Sequence, residues 1–194
     1  MRLCLIRHAS TSWNEDGRTQ GHTDIPLSAK GREQVAAWRL PEGFASAPCI
    51  TSPLGRARET AHLLGFPEPA TDPRLKEMRW GTFEGRRLAD LRTELGAWFA
   101  DAETLGLDFR PPEGESPREV ALRLAGFLRD LAREDGPRLV VAHKGILRAA
   151  LVLSLGWDMR GKPPVRYDPE RALLLSLDEA GRPAFEASIP LRPA

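Results

Sequence analysis

Two cysteines, one tyrosine, one asparagine and four lysines are found among 194 residues, and these scarcities bound what the chain can be. Cys4 and Cys49 belong to no C-x-x-C pair and no Cys/His cluster, which argues against a zinc site and thioredoxin-type chemistry. Both lie in short apolar stretches, where free cysteine acts as a small buried hydrophobe. No run approaches the roughly 20 apolar residues of a membrane span. The apolar stretch after Met1-Arg2 stops at Arg7-His8, too soon for a secretory segment. A reduced, cytoplasmic protein is therefore expected. An excess of one charge is also lacking, with 28 Lys+Arg against 27 Asp+Glu. This leaves no positive field for nucleic acid and no electrostatic membrane anchor. The four lysines face 24 arginines. That bias reads as GC-rich coding, so each arginine must be argued singly. Repeats, linkers and low-complexity segments are absent. With 41% hydrophobic and 28% charged residues, residues 1–194 read as a single soluble globular domain.

Leu3-Cys4-Leu5-Ile6 reads as a strand buried on both faces. Residues 9–27 are polar and loop-like, and Ser28 caps a helix carrying Val35, Ala36 and Trp38. Residues 48–51 form a second strand. Ser52-Pro53 then predicts a helix start, N-cap followed by Pro at N1, running through Leu64 to a stop at Gly65. Residues 67–87 are irregular, and a helical piece follows over 88–102. Ser116-Pro117-Arg118-Glu119 is a capping box, ahead of a helix with Val120, Leu124, Phe127, Leu128 and Leu131 on one face. Leu139–Ala142 is a strand, 146–155 a helix, and 172–177 with 184–189 a strand pair. This alternation predicts a three-layer α/β/α sandwich around a mostly parallel sheet, with loop or cap insertions around 78–115 and 156–170. Ligands in such sheets bind beyond the carboxyl ends of strands, where His8 and His143 both fall.

The residue types there suit phosphate ester chemistry. A neutral imidazole at His8 is a competent nucleophile toward phosphorus, provided cations and donors neutralise the phosphate oxygens. Arg7 is adjacent, and Asn14 lies six residues on. Arg56 falls in the first turn of a helix, where anions are favoured and a guanidinium can clamp two oxygens. Arg58, two residues further, faces elsewhere and is assigned to the surface. Glu77 is the candidate acid for protonating a leaving alkoxide, since a neighbouring dianion raises a carboxyl pKa. Glu84 is its rival, better suited to a capping role. His143 can donate to the transferring phosphoryl group and, protonated, would add positive charge.

The segments LIRHAST, QGHTDIPLSAKG, SPLGRARETA, LKEMRWGTFEG, PEGESPREVALR and VVAHKG, in that order, resemble the histidine phosphatase superfamily with its phosphoglycerate-mutase-like fold. By that resemblance His8 is the phosphorylated histidine; Arg7, Arg56 and His143 form the phosphate pocket. Asn14 matches a phosphate-contacting asparagine, and Glu77 the general acid. Two departures stand out. Ala9 and Lys144 each occupy a position where the family usually has Gly after its histidine. Lys144 either enters the pocket and favours a more anionic substrate or points to solvent. Gln20, Gly21 and His22 are candidates for the substrate mouth. His62 has no assigned role, and the five tryptophans read as core or rim.

The implied function is a metal-independent phosphomonoesterase acting through phosphohistidine on a small phosphorylated metabolite. No metal, cofactor, nucleic acid or membrane partner is expected, and the chain would be a monomer or homodimer. The alternatives are a cofactor-dependent phosphoglycerate mutase and a silent phosphate-binding protein. Similar mutases carry an insertion between general acid and second histidine, whereas only about 65 residues separate Glu77 from His143 here. Because arginines take the place of a metal's charge, turnover of a phosphomonoester should persist in excess EDTA. A strict requirement for added divalent ion in the same assay would overturn that expectation.

Overall fold

The computed structural model describes residues 1–192; residues 193 and 194, the end of the expected single-domain span, lie outside the described residues. The strands are β1 (Arg2–Arg7), β2 (Cys49–Thr51), β3 (Ala70–Thr71), β4 (Arg138–Ala142), β5 (Arg171–Leu177) and β6 (Pro183–Pro190). The helices are α1 (Ser12–Glu15), α2 (Ala29–Ala37), α3 (Gly55–Leu63), α4 (Leu88–Thr104), α5 (Pro117–Leu131) and α6 (Lys144–Leu155). Sheet order is β3-β2-β4-β1-β5-β6. The β3–β2, β2–β4 and β4–β1 pairs are parallel, whereas β5 runs antiparallel to both β1 and β6. The sheet is therefore mostly parallel, with one reversed strand. No described helix is long and apolar enough to cross a membrane.

The unbroken apolar run of β1 follows from coverage on both faces. Leu3 and Leu5 face one core with Leu124, Phe127, Leu128, Ile146 and Leu147 of α5 and α6. Cys4 and Ile6 face the other, with Val35 of α2 and Ala57 and Ala61 of α3. The result is the expected α/β/α sandwich. Burial and the neighbouring cysteine push the Cys4 thiol up to about 12, and burial does the same for Cys49. Both are thus protonated and inert.

Helix starts show where local signals sufficed. Ser28 accepts from the Gly31 N–H at 3.0 Å. At α5 the Ser116–Glu119 capping box closes in both directions, and the Val120, Leu124, Phe127, Leu128 and Leu131 face is buried. The Ser52-Pro53 start fails: α3 begins at Gly55, and the preceding Leu54 supplies no side-chain cap. Its cap is tertiary, because Asp24 accepts from the Gly55 N–H at 2.6 Å. Ser52 is instead fully buried and accepts from the Leu54 N–H at 3.3 Å. Within 9–27, expected to be loop, Thr11 and Asn14 close a reciprocal capping box around the one-turn α1. In the 78–115 segment α4 breaks at Gly96, whose φ of 50° and ψ of −125° are non-helical. The break divides α4 into two helical pieces.

Leu124 sits centrally in the first core and is 2% exposed. Leu124→Ala should cost about 2–5 kcal/mol, the range for cavity-forming core truncations. Urea unfolding should show a lower midpoint at unchanged m; a wild-type midpoint would mean that this face does not carry the packing assigned to it.

Candidate active site

The site is assembled by the parallel β1–β4 register, which pairs Arg7 with Ala142. The His8 N–H extends the ladder by donating to the Ala142 carbonyl at 2.9 Å. The next residue on each strand is a histidine, so the rings of His8 and His143 lie with centroids 5.1 Å apart. Ala9 takes the family's Gly position without difficulty. Its φ is not positive, and it is buried in the α2–α3 core, with its N–H donated to Thr60.

His8 Nδ1 lies 2.7 Å from the Ala9 carbonyl oxygen. A carbonyl only accepts, so Nδ1 carries the proton and Nε2 of the neutral ring carries the lone pair. Burial, reinforced by the charges of Arg7 and Arg56, holds the His8 pKa well below 6.5 despite the opposing Ala9 bond. The ring is therefore neutral at neutral pH. Burial acts in the same direction on His143, with Arg56, His8, Arg7 and Arg123 adding to it. The positive charge that His143 would add if protonated is thus absent from the free protein. It still offers one N–H, and neither ring nitrogen has a hydrogen-bond partner.

Arg56 is fully buried. Its Nη1 donates to the Thr23 carbonyl at 3.1 Å and to Asp24 at 3.4 Å, and its Nη2 to the Gly21 carbonyl at 2.7 Å. Loop 21–24 thereby fixes the guanidinium. Arg58 is exposed, as expected. The Nε atoms of Arg7 and Arg56 and the Nε2 of Gln20 are buried without partners. Asn14 lines the cleft, but its amide nitrogen donates to Gln20 Oε1 at 3.2 Å. Gln20, also held by the Thr11 hydroxyl at 2.9 Å, presents the free amide in Asn14's stead. Buried donors left unpaired are costly and rare. Those on Arg7 and Gln20 belong to residues that line one cleft with His8, and donors of this kind match the acceptor-only surface of a phosphate.

Glu77 is 7% exposed and lines the same cleft. Its Oε1 accepts from the Met78 N–H at 2.7 Å and from the Gly145 N–H at 2.9 Å. Its backbone carbonyl accepts from His22 Nε2 at 2.8 Å and from Arg123 Nη2 at 3.1 Å. Arg123 is itself held by Glu115 at 2.7 Å. His22 and Gly21 thus sit behind the cleft wall rather than at its mouth. Gly21 lies against Glu84, whose carboxylate accepts from the backbone N–H of His22 and of Thr23, each at 2.8 Å. Burial would raise the Glu84 pKa, but the Thr23 hydroxyl and the backbone donors outweigh it and hold the group low. Glu84 is therefore an anchor, and Glu77 is the carboxyl in the cleft.

The cleft encloses about 650 Å³. Arg7, His8, Glu77 and Lys144 wall its polar end; Trp80, Phe99, Phe109 and Met159 come from the 78–115 and 156–170 segments. Arg56 and His143 are fully buried next to this end of the cleft, His143 with its ring centroid 5.1 Å from that of His8. No cluster of three or more His, Cys, Asp or Glu among the described residues has metal-binding geometry. Three supports escaped the sequence reading. Arg123 closes the PEGESPREVALR segment on the buried-face helix but was given no role. Arg148 follows Lys144 by one helical turn, a spacing that could have flagged it. Gly145 looked like part of a family signature, yet its role is local: a Cβ there would fall 2.1 Å from Glu77 Oε1.

The chain belongs to the histidine phosphatase superfamily (branch 1), which it matches over residues 3–184. That class comprises phosphatases and mutases built on a histidine nucleophile. Among curated relatives, the probable phosphoglycerate mutase GpmB of Escherichia coli O1:K1 / APEC is 36% identical, over 80% of this chain and 74% of that protein. A crystal structure of phosphoglycerate mutase from Thermus thermophilus superposes with a TM-score of 0.75 at 32% identity, covering 98% of this chain and 99% of that one. Bacillus stearothermophilus YhfR gives 0.81 at 26% identity, covering 100% and 98%.

Because Gly145 permits the close approach of Glu77, Gly145→Ala should displace that carboxylate. We expect kcat/KM on an alkyl phosphate to fall at least about tenfold, equivalent to roughly 1.4 kcal/mol. Undiminished kcat/KM in a protein with wild-type circular dichroism would show that the Glu77–Gly145 contact is dispensable.

Proposed function

We propose that the protein is a metal-independent phosphomonoester hydrolase that acts on a small phosphorylated metabolite through a phosphohistidine. The observation that carries this reading is the neutral His8, its Nδ1 fixed by Ala9, set among buried donors with no partner in the protein. His8 Nε2 attacks phosphorus, and the bond from phosphorus to the ester oxygen breaks. Arg7, Arg56, Gln20 and the His143 N–H receive the charge on the phosphoryl oxygens. Glu77 serves as general acid, giving a proton to the departing alkoxide. In the second half Glu77 takes a proton from water as the water oxygen attacks phospho-His8. Phosphate leaves and the imidazole returns to its starting form. Asn14 acts through Gln20, whereas Gly21 and His22 hold Arg56 and Glu77 in place.

A mutase reading draws on the names of the relatives, in which phosphoglycerate mutase recurs. On that reading the phosphoryl group of phospho-His8 passes to a second hydroxyl rather than to water. The stretch between Glu77 and His143 lacks the insertion that the family resemblance ascribes to mutases, yet the Thermus thermophilus structure named phosphoglycerate mutase matches over 99% of its own length, so the hydrolase reading rests on the site and not on chain length. Incubation with 3-phosphoglycerate separates the two: inorganic phosphate release supports the hydrolase, and interconversion with 2-phosphoglycerate without release supports the mutase.

Within the hydrolase reading, Glu77→Gln should discriminate by leaving group. An alkoxide must be protonated as it departs, whereas nitrophenolate leaves unaided. The variant is expected to lose about 100-fold or more on glycerol phosphate, the scale of general-acid contributions, and far less on p-nitrophenyl phosphate. Equal losses on both substrates would remove Glu77 from proton transfer. His8→Ala should retain no acid-labile label after rapid quench.

A further inference from the structure

Lys144, Arg148 and Arg7 form a group of cations whose charge the protein does not neutralise. Lys144 is the first residue of α6, and Arg148 lies one turn further on the same face. Both wall the cleft beside Arg7. Other arginines of the cleft are ion-paired: Arg92 with Glu103 at 2.6 Å and Arg18 with Asp16 at 3.4 Å. Among the described residues, Arg7, Lys144 and Arg148 make no ion pair. Arg148 stacks on Trp157, with 5.3 Å from guanidinium to ring centroid, and its buried Nε has no partner. Stacking holds the guanidinium plane without consuming its donors. The carboxylate that acts on this group is Glu77, and it is already engaged by two backbone N–H groups. A phosphate at His8 would take up the charge of Arg7 and leave two cations unanswered next to it.

We infer that Lys144 and Arg148 form a subsite for a second anionic group, so that the substrate is a phosphate ester carrying a further carboxylate or phosphate. This rests on the phosphohydrolase reading and narrows its substrate class. Lys144 is exposed where it lines the cleft, and its pKa is lowered by partial desolvation and by the charges of Arg7 and Arg148. An anion in the subsite would reverse that electrostatic cost.

Two substrate pairs test it: 3-phosphoglycerate against glycerol 3-phosphate, and fructose 1,6-bisphosphate against fructose 6-phosphate. The members of each pair differ in the second anion. Wild-type kcat/KM should favour the more anionic member of at least one pair by about tenfold or more. Which pair responds tells whether the second group is a carboxylate or a phosphate. Lys144→Met and Arg148→Met should each collapse that ratio toward one. The ratio is the readout, so any loss common to both members cancels. Calorimetric binding of the first pair to His8→Ala protein reads the carboxylate preference without turnover. Hydrolysis of p-nitrophenyl phosphate with wild-type ratios near one, or ratios unchanged in both variants, would overturn the subsite and leave the hydrolase intact. Preferential binding of 3-phosphoglycerate without phosphate release from any substrate would do the opposite, sustaining the subsite and overturning the hydrolase.

Discussion

The parallel pairing of β1 with β4 is the constraint on which the site depends. It places the carboxyl ends of two strands, far apart in sequence, at the same level of the sheet. One hydrogen bond beyond the ladder, from His8 to Ala142, then sets the two histidines beside each other. Everything else at that end of the sheet is arranged around this pair. Arg7 comes with β1, and Lys144 and Gly145 come with the helix that follows β4. A one-residue slip in register would turn Leu3 and Leu5 out of the core formed by α5 and α6 and would separate the rings. Core packing and site assembly are thus one requirement.

The second organising feature is a concentration of positive charge in a desolvated place. Arg56 is fully buried, and burial lowers the pKa values of Arg7, Arg56, His8 and His143 together. Each group disfavours the next cation, which is why both imidazoles are neutral while the guanidinium groups remain charged. Neutrality suits His8, since a protonated ring has no lone pair with which to attack. A phosphate dianion inverts the balance by supplying the missing negative charge. The pocket is therefore suited to an anion for electrostatic reasons, independently of any catalytic step.

Glu77 shows how much structure a single carboxyl needs in order to sit among cations without simply pairing with them. Two backbone N–H groups hold its oxygens, and two side chains from different loops hold its carbonyl. Those side chains, His22 and Arg123, never reach the cleft, yet they define where the carboxyl stands. Glu84 does the same for loop 21–24, which in turn positions Arg56. Rigid supports of this kind fix where the Glu77 carboxyl and the Arg56 guanidinium stand.

The chain by itself determined what depends on nearest neighbours and on periodicity. The buried strands follow from apolar runs, the α5 face from its 3.6-residue spacing, and the Ser28 and Ser116 starts from side chains that reach their own backbone three residues on. The histidines at strand ends were legible for the same reason, because a polar residue after an apolar strand must lie at the sheet's rim. Tertiary structure decided whatever needs a partner distant in sequence. Asp24 rather than Ser52 caps α3, because the chain folds Asp24 onto Gly55. Gln20 rather than Asn14 presents the free amide, because their side chains meet across a loop. The His22 ring donates to the Glu77 carbonyl, and the exposed Lys144 lines the cleft beside Arg7. A hydrogen bond or a charge acts over a few ångströms of space, and only the fold sets which distant residues come that close.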